Sequence, residues 1–79
     1  MIPSLSEEKL TLHLKQLMKL NLKNMCYRDA IFFADKLLHI QQMGTLDYCQ
    51  AVYDLAHCFL LNKEYSRCVQ LIEKNELVF

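Results

Sequence analysis

The residue types most able to do chemistry in this chain are its four cysteines and three histidines. The cysteines stand at positions 26, 49, 58 and 68, and none of them forms a C-x-x-C pair. Structural zinc sites draw their ligands from such closely spaced pairs. The neighbours His57 and Cys58 cannot share one ion on a helix, because successive side chains point about 100° apart. The sequence therefore predicts no metal site and no cofactor.

Thiol catalysis is the second chemistry that cysteine and histidine could support. It needs a Cys/His pair beside a group that stabilises an oxyanion. The only glycine, Gly44, falls in a link between two helical patterns, and no glycine-rich phosphate loop is present. Acidic residues stand beside basic ones, as in Lys63-Glu64, which is typical of solvated helix faces. We predict a chain that is not an enzyme, with buried cysteines acting as small hydrophobic residues.

The charge balance and the length of the apolar runs limit the classes of partner that the chain could bind. Nine Lys and Arg balance nine Asp and Glu in 79 residues, which disfavours nucleic acid because a basic surface supplies most of its non-specific affinity. No apolar run reaches the roughly 18 residues of a membrane span, and Met1-Ile2-Pro3 does not open a signal peptide. We expect no nucleic acid and no membrane among the partners, and a reducing location in nucleus and cytoplasm.

Apolar residues recur at helical spacing in four segments, which predicts helices at about 6–22, 27–42, 46–61 and 64–75. Residues 41–45 form the one long link. The predicted buried positions are Leu10, Leu14, Leu17, Met18 and Leu20 in the first helix, Ala30, Phe33, Ala34, Leu37 and Leu38 in the second, Tyr48, Val52, Leu55, Ala56, Phe59 and Leu60 in the third, and Cys68, Val69, Leu71 and Ile72 in the fourth.

The four segments form an internal repeat. The run 27–30 (Tyr-Arg-Asp-Ala) aligns with 65–68 (Tyr-Ser-Arg-Cys), 38 residues later, and Leu14, Leu17 and Met18 align with Val52, Leu55 and Ala56. A helix, a turn that ends at a tyrosine, and a second helix with an early small residue resemble the tetratricopeptide repeat, whose period is about 34 residues. The predicted fold is all-α: antiparallel helical hairpins that form two tetratricopeptide-like repeats of an α-solenoid.

One domain is expected over residues 1–79, with the first repeat at about 6–42 and the second at about 46–79. Two repeats fall short of the roughly three that such stacks need, so we expect a following repeat, a second copy or another subunit to cover an apolar flank. The apolar end, Val78-Phe79, predicts that the chain is a piece of a longer protein. The repeat departs from the standard pattern, since Trp is absent and Asn75 stands where alanine is usual.

The first helix of each repeat lines the concave side of a helical-repeat stack. Apolar and basic groups are mixed there, which suits a partner helix or extended segment with acidic flanks. In the repeat register, the predicted partner-binding positions are Leu12, Lys15, Lys19, Leu22 and Lys23 in the first unit and Gln50, Tyr53, His57, Leu60 and Leu61 in the second. For Leu22 and Leu60, packing inside the hairpin is an equal alternative.

Residues 27–37 read Tyr-Arg-Asp-Ala-Ile-Phe-Phe-Ala-Asp-Lys-Leu. This run resembles the first repeat of the tetratricopeptide subunits of the anaphase-promoting complex, or cyclosome, and residues 55–59 are similar to a second run of that family. The resemblance implies that this chain is the N-terminal part of a long repeat superhelix, which scaffolds a multisubunit ubiquitin ligase in mitosis. It also implies a homodimer through the N-terminal repeats, contacts with other subunits, and no catalytic residue in this chain.

An alternative function is a peptide-binding adaptor of another system, such as a chaperone cofactor. Such domains hold a C-terminal carboxylate with lysine, arginine and asparagine at fixed concave positions. Here Lys15, Lys19 and Asn62 supply only part of that set.

Overall fold

A computed structural model describes the backbone of residues 5–75 and the side chains of residues 8–75. Its helices are α1 (Leu5–Lys23), α2 (Tyr27–Ile40), α3 (Leu46–Leu61) and α4 (Tyr65–Lys74), and the described part of the chain contains no strand. The all-α prediction is confirmed. The bounds of α3 are as predicted, while α2 ends two residues early because Gln41 has extended backbone angles. Residues 76–79, assigned above to the second repeat, lie outside the described residues.

The two turns inside the hairpins have the same backbone geometry, 38 residues apart. Met25 and Lys63 both have φ 61°. The amide of Cys26 donates to the carbonyl of Asn21, as the amide of Glu64 does to that of Phe59, each at 2.8 Å. This is the Schellman pattern of a helix C-terminus, in which one residue takes a left-handed conformation. The sequence repeat is therefore also a structural repeat.

The helices pack in chain order, α1 on α2, α2 on α3 and α3 on α4. Ala30 and Ala34 on α2 have no exposed surface, so their small side chains allow the neighbouring helices to approach closely. The main cluster of buried side chains joins all four helices: Met18, Ala30, Ala34, Leu55, Ala56, Cys58, Phe59 and Cys68. A smaller cluster joins Leu14, Leu37 and Ala51 across α1, α2 and α3.

The link before α3 is held by Thr45. Its hydroxyl accepts a hydrogen bond from the amide of Tyr48 at 3.1 Å and donates one to the carbonyl of Gln42 at 2.7 Å. This capping fixes the start of α3. Gly44 takes φ 85° in the same link, a backbone conformation that glycine adopts without steric cost.

The predicted burial is wrong at the two outer faces of the stack. Leu10 and Leu20 on α1 are 48% and 54% exposed, and Leu60 and Val69 are 48% and 51% exposed. Each pair lies at an end of the described stack, where no further helix covers it. None of the helices between Leu5 and Lys74 combines the length and apolar character needed to cross a lipid bilayer.

Candidate protein-interaction surface

The ten predicted partner-binding residues lie on α1 and α3, five on each helix. Seven of them are exposed, while Lys15, Leu22 and Tyr53 are half-buried. Leu22 packs against the main core cluster, which agrees with the alternative that it packs inside the hairpin. Leu60, in contrast, is exposed to solvent. Leu12 and Lys15 line a groove of about 840 Å³ between the start of α1 and the start of α3. The exposed members, in chain order, are Leu12, Lys19, Lys23, Gln50, His57, Leu60 and Leu61.

A second apolar surface lies at the end of the stack formed by α3 and α4. We call it the end face and define it by Leu60, Tyr65, Val69 and Ile72. Tyr65, Val69 and Ile72 have i, i+4, i+7 spacing, which aligns them along one side of α4. Tyr65 is 57% exposed, and Ile72 is half-buried against the core. Helical spacing predicts that Val69 and Ile72 are buried, which is wrong for Val69.

The repeat explains the exposure of the end face. In the first unit the residues 38 positions earlier are Leu22, Tyr27, Ile31 and Ala34, and every one of them is half-buried or buried. Leu22 and Ile31 pack against the main core cluster, and Ala34 belongs to it. Helices α3 and α4 supply most of that cluster. The end face is therefore the side of a repeat that another helical element covers in the first unit and that none of the described residues covers in the second.

The buried Cys58 side chain lacks the features of a reactive thiol. Cys58 has no exposed surface, and burial together with the nearby Asp54 carboxylate raises its pKa to about 11. The thiol, and not the nucleophilic thiolate, is then the form present near neutral pH. Cys68 is also buried, Cys26 is exposed, and all four cysteines are free. Among the side chains described, no three His, Cys, Asp or Glu residues are grouped closely enough to hold a metal ion.

The polar groups at the second turn bind one another. The Asn62 amide donates to Glu64 at 2.9 Å, and Arg67 donates to the other oxygen of the same carboxylate at 3.0 Å. These two bonds lower the pKa of Glu64. The Arg67 guanidinium also lies 4.5 Å from the centre of the Phe59 ring. Asn62, one of the three residues considered for carboxylate binding, is thus already held within the turn.

The sequence profile of the family described as anaphase-promoting complex, cyclosome, subunit 3 matches residues 23–78. This match covers more than half of the chain. The chain belongs to this family. Neither a curated protein nor a solved structure matches it significantly.

The subunit 3 match includes α2, α3 and α4 and all four residues of the end face. It contains the 27–37 run that carries the resemblance, and it includes only Lys23 of α1. A tetratricopeptide-like repeat of this family is typically a non-catalytic scaffold that makes protein–protein contacts within a complex. The resemblance to an anaphase-promoting complex subunit is confirmed at this level.

Asn75 has a structural role that the sequence analysis missed. Its side-chain oxygen accepts a 2.7 Å hydrogen bond from the Tyr48 hydroxyl, and its amide nitrogen donates to the carbonyl of Leu71 at 2.8 Å. An asparagine in place of the usual alanine was the only sign of this bond in the sequence. The bond joins the start of α3 to the end of α4 and so helps to fix the position of the end face.

Proposed function

We propose that this chain is the homodimerisation module of an anaphase-promoting complex subunit and acts as a non-catalytic scaffold in cell-cycle control. We propose that this subunit is similar to cell division cycle protein 27. Its partners are a second copy of the chain and other subunits of the ubiquitin ligase. The ligase chemistry belongs to those other subunits, so this chain contributes contacts and geometry.

The end face is the observation that carries the proposal. Three of its four side chains are about half exposed, whereas their counterparts one repeat earlier are covered. Uncovered apolar surface drives association, at roughly 25 cal/mol for each Å² removed from water. Two end faces related by a twofold axis cover each other, because a twofold contact uses the same patch on both subunits.

We further propose that the chain acts in nucleus and cytoplasm. The reducing conditions of those compartments suit a chain whose four cysteines are all free.

Sedimentation velocity over a concentration series tests the self-association. We expect a reversible dimer at tens of micromolar protein. The double variant Leu60→Ser/Val69→Ser should sediment as a monomer, because it removes apolar contact from both edges of the end face. Both sites are about half exposed, so the substitutions leave the core intact, and circular dichroism would confirm that the helices remain.

A matched control is the double variant Phe32→Ser/Met43→Ser. These side chains are 54% and 77% exposed and are not members of the end face, so this variant should dimerise like the wild type. A strictly monomeric wild type would overturn the proposal. A monomer that captures peptides with a free C-terminal carboxylate would instead favour the peptide-binding adaptor.

A further inference from the structure

Two leucines are exposed on the solvent side of α1. Leu12 is 58% exposed and Leu20 is 54% exposed, and they stand eight residues, or about two helical turns, apart. Between them lies the exposed Gln16. The leucines therefore form a short apolar ridge along a helix that is otherwise polar on this side.

Lysines surround this ridge. Lys9 and Lys23 are each seven residues from Gln16, which places all three on one line along the helix, and Lys19 lies beside them. All three lysines are exposed. Among the described side chains, Glu64 pairs with Arg67 and Asp35 lies 3.6 Å from the His39 ring, while no carboxylate pairs with a lysine of α1. We call the set Lys9, Leu12, Gln16, Lys19, Leu20 and Lys23 the α1 outer face. Leu12, Lys19 and Lys23 are also among the partner-binding positions predicted from the sequence.

The second repeat shows that the fold does not require lysine and leucine at these helix positions. In α3, the positions equivalent to Lys9 and Gln16 are Asp47 and Asp54, and the position equivalent to Leu12 is Gln50. The same helix surface is thus acidic in one unit and basic in the other. The whole chain has no net charge, so the excess of cations on α1 is a local feature and not a consequence of composition.

A terminal helix of a repeat stack needs a polar outer side for solubility. The lysines alone would satisfy that need, but two leucines that are more than half exposed work against it. The position equivalent to Leu20 is Cys58, which is fully buried. The matched family region begins at Lys23, so the family pattern does not account for the rest of this surface.

We propose that the α1 outer face is a second docking surface, which binds an acidic amphipathic helix of another protein. The leucine ridge would contact the apolar stripe of the partner, and acidic residues beside that stripe would pair with Lys9, Lys19 and Lys23. The adjoining groove extends the apolar contact, since Leu10, Leu12 and Ile40 line it together with Lys15. This surface is separate from the end face, and the inference does not depend on self-association.

Fluorescence anisotropy with a labelled synthetic helix tests the inference. The probe is an amphipathic peptide with leucine on one face and glutamate on the other, and the control peptide has lysine in place of each glutamate. We expect the acidic peptide alone to bind, with an affinity that falls as salt is added. Charge reversal in Lys9→Glu/Lys19→Glu/Lys23→Glu should weaken binding roughly tenfold or more, because several exposed ion pairs are lost together.

Leu12→Ser/Leu20→Ser should weaken binding without changing its salt dependence. The matched charge control, Lys63→Glu/Lys74→Glu, changes exposed lysines outside α1 and should bind like the wild type. Failure of the acidic peptide to bind at low salt, or equal loss in the charge control, would overturn the inference. So would binding of phosphatidylserine vesicles through the same lysines with no binding of the peptide. The monomeric Leu60→Ser/Val69→Ser variant should still bind the peptide, which separates this test from that of the dimer.

Discussion

The Tyr48 hydroxyl lies 2.7 Å from the Asn75 side-chain oxygen and joins residues 27 positions apart in the chain. The bond connects the first turn of α3 to the residue that ends α4. Both side chains are half-buried. When the bond is lost, water therefore only partly replaces the hydrogen bond of each polar group. It is a contact that holds the two helices of the second hairpin together at their open end.

Tyr48→Phe should lower the free energy of unfolding by about 0.5–1.5 kcal/mol, the usual net contribution of one such hydrogen bond. Urea denaturation followed by circular dichroism measures the change. The matched control is Tyr65→Phe, since Tyr65 is 57% exposed and its hydroxyl forms no such bond with the described residues. An unchanged midpoint for Tyr48→Phe would show that the bond adds nothing to stability.

Glycine at either left-handed turn position should stabilise the fold. Met25 and Lys63 both have φ 61°, a conformation that costs residues other than glycine roughly 1 kcal/mol. Met25→Gly and Lys63→Gly should therefore each raise the thermal midpoint, and Met25→Val should lower it. Gln16→Gly, within α1, is the comparison and should lose up to about 1 kcal/mol. A loss of stability in both turn variants would contradict the assigned turn geometry.

Ala30→Leu should overpack the first hairpin. Ala30 has no exposed surface and lies in the main core cluster, so three added carbon atoms would force neighbouring helices apart at a cost of about 1–3 kcal/mol. Thermal denaturation measures the loss. Gln70→Leu, on the exposed side of α4, should stay within about 0.5 kcal/mol of the wild type. Equal midpoints for the two variants would mean that the helix register is wrong.

The buried Cys58 thiol should make stability fall in alkaline solution. Its pKa rises from 9.0 to about 11 in the folded chain because of burial and Asp54. The folded state therefore holds this proton more tightly than the unfolded state, and the resulting stability is complete below pH 9 and is lost between pH 9 and pH 11. Other groups titrate in the same range, so the difference between wild type and Cys58→Ala is the quantity to measure. Parallel pH profiles for the two proteins would rule out this effect.

The sequence was sufficient to predict most of the fold because helical periodicity and the 38-residue repeat are local patterns. Four helices, the turn positions and the small residues of α2 follow from them. The predicted bounds of α3 were correct because Thr45 and the Asn62 turn mark its ends clearly.

The sequence could not predict which apolar side chains stay exposed. Helical spacing places Val69 on the same side as its counterpart Ile31. Within residues 5–75, however, a neighbouring unit covers Ile31 and not Val69. The burial of a side chain at the end of a stack depends on the neighbouring unit. Helical periodicity carries no information about that neighbour. The Tyr48–Asn75 bond was missed for a similar reason, since it depends on how two helices meet.

Hydrogen exchange followed by mass spectrometry at low and high protein concentration tests the central claim, that the chain associates through its end face. We predict that amides at the end of α3 and along α4 become more protected at high concentration, while those of α2 do not change. The protection should disappear in Leu60→Ser/Val69→Ser. Exchange that is independent of concentration throughout the chain, or extra protection confined to α2, would contradict the account.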